Sequence, residues 1–220
     1  MKKIFKPNLT TDLIIKALKK CKIHRKSSFL DLGCGNGIIG REIAKEFNLK
    51  KVHGSDISLK AIKKSRQLVK KGGTEYLYKV GDCLEPWKNY KFDIISCDVA
   101  GISEDIASIS KWYNGVSCKT GSSGLNLVNR ILKKIDKFLN KNGVFVIPII
   151  SLCNTKILIQ NLTKKFKKTK IILSTDWPLE KKILKEIKKK ELKSNQNWKI
   201  FNKFGISCCN TKIMICKLND

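Results

Sequence analysis

Residues 27–47 read SSFLDLGCGNGIIGREIAKEF, and few folds accommodate such a stretch. Residues 27–32 form a short apolar strand. Glycines follow at alternate positions (Gly33, Gly35, Gly37), and then Ile38, Ile39, Ile43, Ala44 and Phe47 recur on one face of a helix. A strand that turns through glycines into an amphipathic helix opens a βα unit, and the glycines let the backbone come close to a ligand. From Gly35 the loop reads G-x-G-x-x-G, a fingerprint shared by nicotinamide and flavin dinucleotide sites; from Asp31 it reads D-x-G-x-G-x-G.

The alternation continues along the chain. A second strand ends at Asp56 and leads into a helix for which Ser58 is a suitable N-cap; a third strand ends near Asp82 and a fourth near Asp98. A helix over 124–141, a strand over 143–150, a helix over 154–166 and a strand over 168–175 complete the series. In residues 180–193, Leu184, Ile187 and Leu192 form one apolar helical stripe, and residues 197–218 hold two β-type runs around a glycine-containing turn. These features predict an α/β fold with a doubly wound, mostly parallel Rossmann-like sheet and an antiparallel C-terminal finish. Residues 1–26 read as an N-terminal helical leader and 27–220 as one domain, which 220 residues suffice to build. Phe5, Pro7, Thr10 and Thr11 either close over the ligand or begin a helix with a threonine cap; the helix is favoured.

The 46 basic against 18 acidic residues give a net charge of +28, a balance that suits a polyanionic partner. The basic residues are almost all lysine, with arginine only at 25, 41, 66 and 130, and they are spread along the chain, so part of this excess is a solvated surface. The nine cysteines contain no C-x-x-C pair and the histidines are only His24 and His53, which argues against a metal site and a disulfide framework. No apolar run is long enough for a bilayer helix or a signal peptide, so a cytoplasmic, membrane-free protein is expected.

In an open α/β sheet the ligand lies beyond the carboxyl ends of the strands, where Asp31, Asp56, Asp82 and Asp98 fall in series. Asp56 stands 19 residues beyond Gly37, the spacing at which a carboxylate accepts hydrogen bonds from ribose hydroxyls. The pattern describes a nucleoside site. Each aspartate alone is equally a cap or turn residue.

The segments FLDLGCGNG, GSDIS with AIKKSR, GDCLEPW and FDIISCD stand in an order that resembles the class I S-adenosylmethionine (SAM) methyltransferases, over about the central half of the chain. Dinucleotide dehydrogenases share the loop and the acid after strand two but lack the leading Asp and the later G-D and F-D-x-I. The resemblance implies SAM as cofactor, with Asp31, Gly33, Cys34, Gly35, Asn36 and Gly37 at the methionine portion, Asp56 and Ile57 at the ribose, and Asp82 with Cys83 at the adenine.

Within that family the chain looks most similar to the branch containing glutamine N5 methyltransferases of release factors and related RNA base methyltransferases. There the fourth strand ends in N-P-P-Y or D-P-P-Y; this sequence has Asp98, Val99, Ala100 and Gly101, keeping the carboxylate and losing both prolines and the aromatic. The resemblance implies Asp98 and the Val99 carbonyl as the catalytic groups that hold a nitrogen or oxygen acceptor. Trp112 or Tyr113, in the loop over 101–124, are the aromatics available to replace the missing ring. Glu104 and Asp105 read as a solvated helix start. The implied acceptor is protein or RNA; a small-molecule acceptor, or a SAM-binding protein with other chemistry, remains open.

Overall fold

The computed structural model describes residues 7–69, 72–110, 112–113, 118–190, 192 and 197–218. Its helices are α1 (Leu9–Leu18), α2 (Ile38–Phe47), α3 (Leu59–Gln67), α4 (Glu104–Ile109), α5 (Asn126–Leu132), α6 (Thr155–Lys165) and α7 (Lys181–Lys189). Its strands are β1 (Phe29–Leu32), β2 (Lys51–Asp56), β3 (Glu75–Val80), β4 (Phe92–Cys97), β5 (Leu139–Ile150), β6 (Lys168–Pro178), β7 (Phe201–Lys203) and β8 (Ile206–Lys217).

They form one sheet in the order β3-β2-β1-β4-β5-β8-β6, with β7 paired to β8. The first five strands are parallel, whereas β8 runs antiparallel between β5 and β6. The chain winds outward from β1 to β3 and returns on the other side at β4, so the strand order reverses between β1 and β4 and a crevice opens there.

Successive strand residues point to opposite faces, and both faces are packed. Leu30, Leu32, Ile95 and Cys97 join α5 and α6 through Ile131, Leu158 and Leu162. Phe29, Ile94 and Val146 join α1 and α2 through Leu13, Ile14, Ile39 and Ile43. A third cluster joins α4 to α7: Ile106 and Ile183 pack with Leu152, Trp198 and Cys209. All nine cysteines are free thiols. No helix among the described residues is long and apolar enough to cross a membrane.

Local differences from expectation have physical causes. The helix expected over 124–141 stops at Leu132; a 3₁₀ turn (Ile135–Phe138) follows and β5 begins at Leu139. Phe138 and Leu139 are drawn into the core, Leu139 pairs with Phe92, and Asn140 Nδ2 donates to Asp93 Oδ1 at 2.8 Å, so burial overrides helical continuity. In α7 the most buried residue is Ile183, with Leu184, Ile187 and Leu192 packed beside it, which turns the helix slightly from its expected face. The cap of α1 is Asn8 rather than a threonine: its side chain accepts from the amides of Thr10 and Thr11, and Thr11 completes a capping box.

Candidate functional site

The glycine loop is held by its own hydrogen bonds. The amides of Gly33 and Cys34 both donate to the Ser55 carbonyl, at 2.9 and 3.0 Å, and Gly37 donates to the Cys34 carbonyl at 2.7 Å. Gly35 donates to Asp56 Oδ2 at 2.9 Å and Ile38 to Asn36 Oδ1 at 3.1 Å. Gly37 caps α2 at φ +77°, where a side chain would strike the Tyr78 hydroxyl. Gly33, at φ +74°, lies so close to the end of β4 that a Cβ would stand 2.7 Å from the Asp98 carbonyl oxygen. The loop therefore presents backbone edges to a ligand, with these N–H groups already engaged.

A cavity of about 440 Å³ opens beside the loop, within the range of small-molecule sites. Gly33, Gly35, Asp56, Ile57, Asp82, Cys83, Asp98 and Val99 line it. Asp31, Cys34, Asn36 and Gly37 do not line it. The topology thus brings the acids after strands two, three and four to one crevice and leaves the first acid beneath it.

Each carboxylate has its own surroundings. Asp56 accepts from Gly35 with one oxygen and from the Ser58 amide with the other at 2.8 Å, so it shapes the loop while facing the cavity; burial raises its pKa. Asp82 takes both oxygens to Arg130 Nη2, at 3.0 and 2.8 Å, on the rim. Asp98 accepts a hydrogen bond of 2.8 Å from the Thr11 hydroxyl; burial pushes its pKa up to about 6, and the Thr11 bond works against that rise. Asp31 is fully buried: Oδ1 accepts from Ser96 at 2.9 Å, and Oδ2 meets no donor at hydrogen-bond geometry among the described residues. Burial, opposed by Ser96 and the Gly40 amide and aided by Asp98 and Asp56, brings its pKa to about 8.

The leader both forms a helix and reaches the cavity. Asn8 and Thr10 line it, and Thr11 grips Asp98 from 87 residues away in sequence. Phe5 lies outside the described residues, and Pro7 is exposed. The two loop aromatics separate. Tyr113 lines the cavity with Asp98, whereas Trp112 packs at 5.6 Å on Trp177 and donates its Nε1–H to Glu180. Glu104 and Asp105 do begin a helix, α4, capped by Ser103, and both are half-buried. Sequence reasoning missed Asn8 as cap and lining, the Thr11 bond, Asn126 and Arg130. The N-x-x-T spacing of a capping box was the one available signal for the first two.

Carboxylates after three successive strands, an aromatic ring and a glycine loop closed on its own hydrogen bonds suit a nucleoside that bears positive charge. SAM has these properties: a sulfonium, an ammonium, ribose hydroxyls and a neutral adenine.

Comparison with known proteins agrees with this chemistry. A family model described as a methyltransferase domain matches residues 23–205. The release factor glutamine methyltransferase of Bacillus subtilis is 30% identical over 129 residues, 56% of this chain and 44% of that protein. The ribosomal protein uL3 glutamine methyltransferase of Francisella tularensis is 26% identical over 129 residues, 56% of this chain and 41% of that protein. The chain therefore spans less than half the length of these curated relatives. In fold it is similar to the crystal structure of a methyltransferase-like protein from Bacillus halodurans, with a TM-score of 0.61 at 15% identity over 94% of this chain and 99% of the other.

Proposed function

Because the chain belongs to the methyltransferase-domain family, we propose that it is an enzyme that transfers the methyl group of SAM to a nitrogen or oxygen acceptor held at Asp98. The observation that carries this reading is the glycine loop anchored on Ser55 and Asp56 through the amides of Gly33, Cys34 and Gly35, while Asp56 and Asp98 face the cavity. In that cavity Asp56 accepts hydrogen bonds from the ribose, Ile57 and Cys83 flank the nucleoside, and the edge of the Gly33–Gly37 loop follows the methionine chain.

When bound, SAM supplies an electrophilic methyl carbon: its bond to sulfur breaks as the bond to the acceptor forms, and the electron pair stays on sulfur. The remaining work belongs to the chain. An in-line displacement needs the acceptor's lone pair aimed at that carbon, and two acceptors on one strand end, the Asp98 carboxylate and the Val99 carbonyl, orient an amino group through its hydrogens. For a hydroxyl acceptor, the ionised Asp98 takes the proton. The Tyr113 ring supplies an aromatic wall in place of a ring at the strand end itself. Thr11 holds the Asp98 carboxylate in one rotamer and lowers the cost of its charge.

The relatives named above are methyltransferases of protein glutamine, and the +28 charge of this chain suits an RNA, so a macromolecular acceptor in the cytoplasm is the favoured substrate. The test is methyl transfer from methyl-tritiated SAM to an extract, divided into RNA, protein and low-mass fractions. Label in RNA or protein supports the reading. New label confined to the low-mass fraction assigns a small-molecule acceptor, and binding of S-adenosylhomocysteine with no transfer to any fraction refutes methyl transfer.

A further inference from the structure

We propose that the acceptor is RNA, and that the β7–β8 hairpin with α7 is the surface that grips the strand flanking the acceptor nucleotide. The proposal rests on the methyl-transfer reading above and adds a partner class and a docking surface.

The hairpin rises where such a strand must pass. In the sheet, Thr211 of β8 lies opposite Ile150, the last residue of β5, and Ile150 lines the cavity. Farther along β8, Cys208 lies opposite Phe201 and Ile206 opposite Lys203, so β7 continues the row of β5 beyond the carboxyl edge of the sheet. Ile206, where β8 leaves the turn, stands five residues past Thr211, about 17 Å at a rise of about 3.4 Å per residue, and the turn lies beyond it. Hydrogen bonds fix the base of this arm. The Lys199 amide donates to the Ser151 carbonyl at 2.6 Å, and the Ser151 hydroxyl donates to the Lys199 carbonyl at 2.9 Å.

The tip carries an apolar side chain turned out into solvent. Phe204 is 94% exposed, Ile206 54% and Phe201 36%. Phe204 also holds φ +50°, a left-handed conformation in which glycine or asparagine costs less. A strained aromatic turned into solvent contributes nothing to folding and has the form of a stacking platform for a base. Exposed lysines lie on the neighbouring elements. Lys199 is exposed, and α7 leaves the adjacent end of β6 with Ile183 buried and Lys181, Lys182, Lys185, Lys188 and Lys189 facing solvent. An exposed ring on a rigid arm beside lysines matches the two parts of a single strand, base face and phosphate.

The experiment is fluorescence anisotropy with a fluorescein-labelled single-stranded RNA oligonucleotide of mixed sequence, on wild type, Phe204→Ala and Lys185→Glu. S-adenosylhomocysteine binding to the same proteins is measured by calorimetry. Expected are an affinity about tenfold weaker in Phe204→Ala, from the loss of one base stack, and a shallower salt dependence in Lys185→Glu. S-adenosylhomocysteine binding should be unchanged in both variants, since neither residue lines the cavity. RNA binding by Phe204→Ala equal to wild type overturns the hairpin assignment, and tritium transfer only to protein overturns the choice of RNA. Failure of wild type to bind S-adenosylhomocysteine overturns the methyl-transfer reading instead, so the two failures are distinguishable.

Discussion

Replacing Thr11 with Val removes the hydroxyl that donates to Asp98 and tests whether Asp98 works as a carboxylate. The side chain is isosteric and its site is buried, so the main losses are the 2.8 Å bond to Asp98 Oδ2 and the weaker acceptance from the Asn8 amide. A hydrogen bond to a charged group contributes about 1.5–3 kcal/mol net, and about 1.4 kcal/mol corresponds to one pKa unit, so the loss shifts Asp98 upward by about one to two units. The sign is upward because the hydroxyl stabilises the charged form. In the wild type Asp98 titrates at about 6, so it is mostly ionised at neutral pH. In the variant the midpoint moves to about 7–8, which leaves roughly a tenth to a half of the enzyme active at pH 7 and restores the rate near pH 9.

The assay is the pH profile of kcat/KM for methyl transfer, with S-adenosylhomocysteine affinity measured beside it. The acidic limb should move to higher pH in Thr11→Val, return in Thr11→Ser, and leave cofactor affinity unchanged. An acidic limb that stays in place in Thr11→Val refutes the coupling of this bond to the reacting carboxylate. A uniform loss of rate at every pH would assign Thr11 to α1 capping alone.

Three further outcomes are expected. Asp56→Ala should weaken S-adenosylhomocysteine binding by about tenfold or more in calorimetry, since a charge-assisted ribose contact and the anchor of the Gly35 amide are lost together. Gly33→Ala should destabilise the fold by about 1–3 kcal/mol in urea unfolding and abolish transfer, because the new Cβ meets the Asp98 carbonyl at 2.7 Å with φ at +74°. Asp31→Asn tests linkage. The folded-state pKa of Asp31 is raised from 3.8 to about 8, so its protonated form favours the fold fully below pH 4, and that contribution drains away as the pH rises to 8. Melting curves of the Asn variant should therefore lose less stability than wild type across that window; parallel curves would mean that Asp31 titrates normally.

Some of this protein is written in short-range pattern. The glycine loop, the apolar strands that end in Asp56 and Asp98, and the Ser58 cap depend on backbone conformation and on spacing of a few residues, and local chemistry was sufficient to find them. The parallel order follows from the alternation itself, because each strand–helix–strand crossover has one favoured hand. The β7–β8 hairpin was legible for the same reason, as two β-type runs around a turn with Gly205 at φ +76°.

What tertiary structure decided lies at longer range. No spacing rule joins Thr11 to Asp98 across 87 residues, or Arg130 to Asp82 across 48; these pairs exist because α1 and α5 pack against opposite faces of the sheet and deliver side chains to its carboxyl edge. The end of the helix begun at Asn126 was set by burial of Phe138 and Leu139, a competition in which the core outweighs helical propensity. The sorting of Tyr113 into the cavity and Trp112 onto Trp177 was likewise a matter of packing, since the two are neighbours in sequence and equal as aromatics. Sequence periodicity specifies which residues are buried and which way each element runs; only the assembled layers specify which distant polar groups meet, because that depends on the relative placement of elements whose local patterns carry no information about one another.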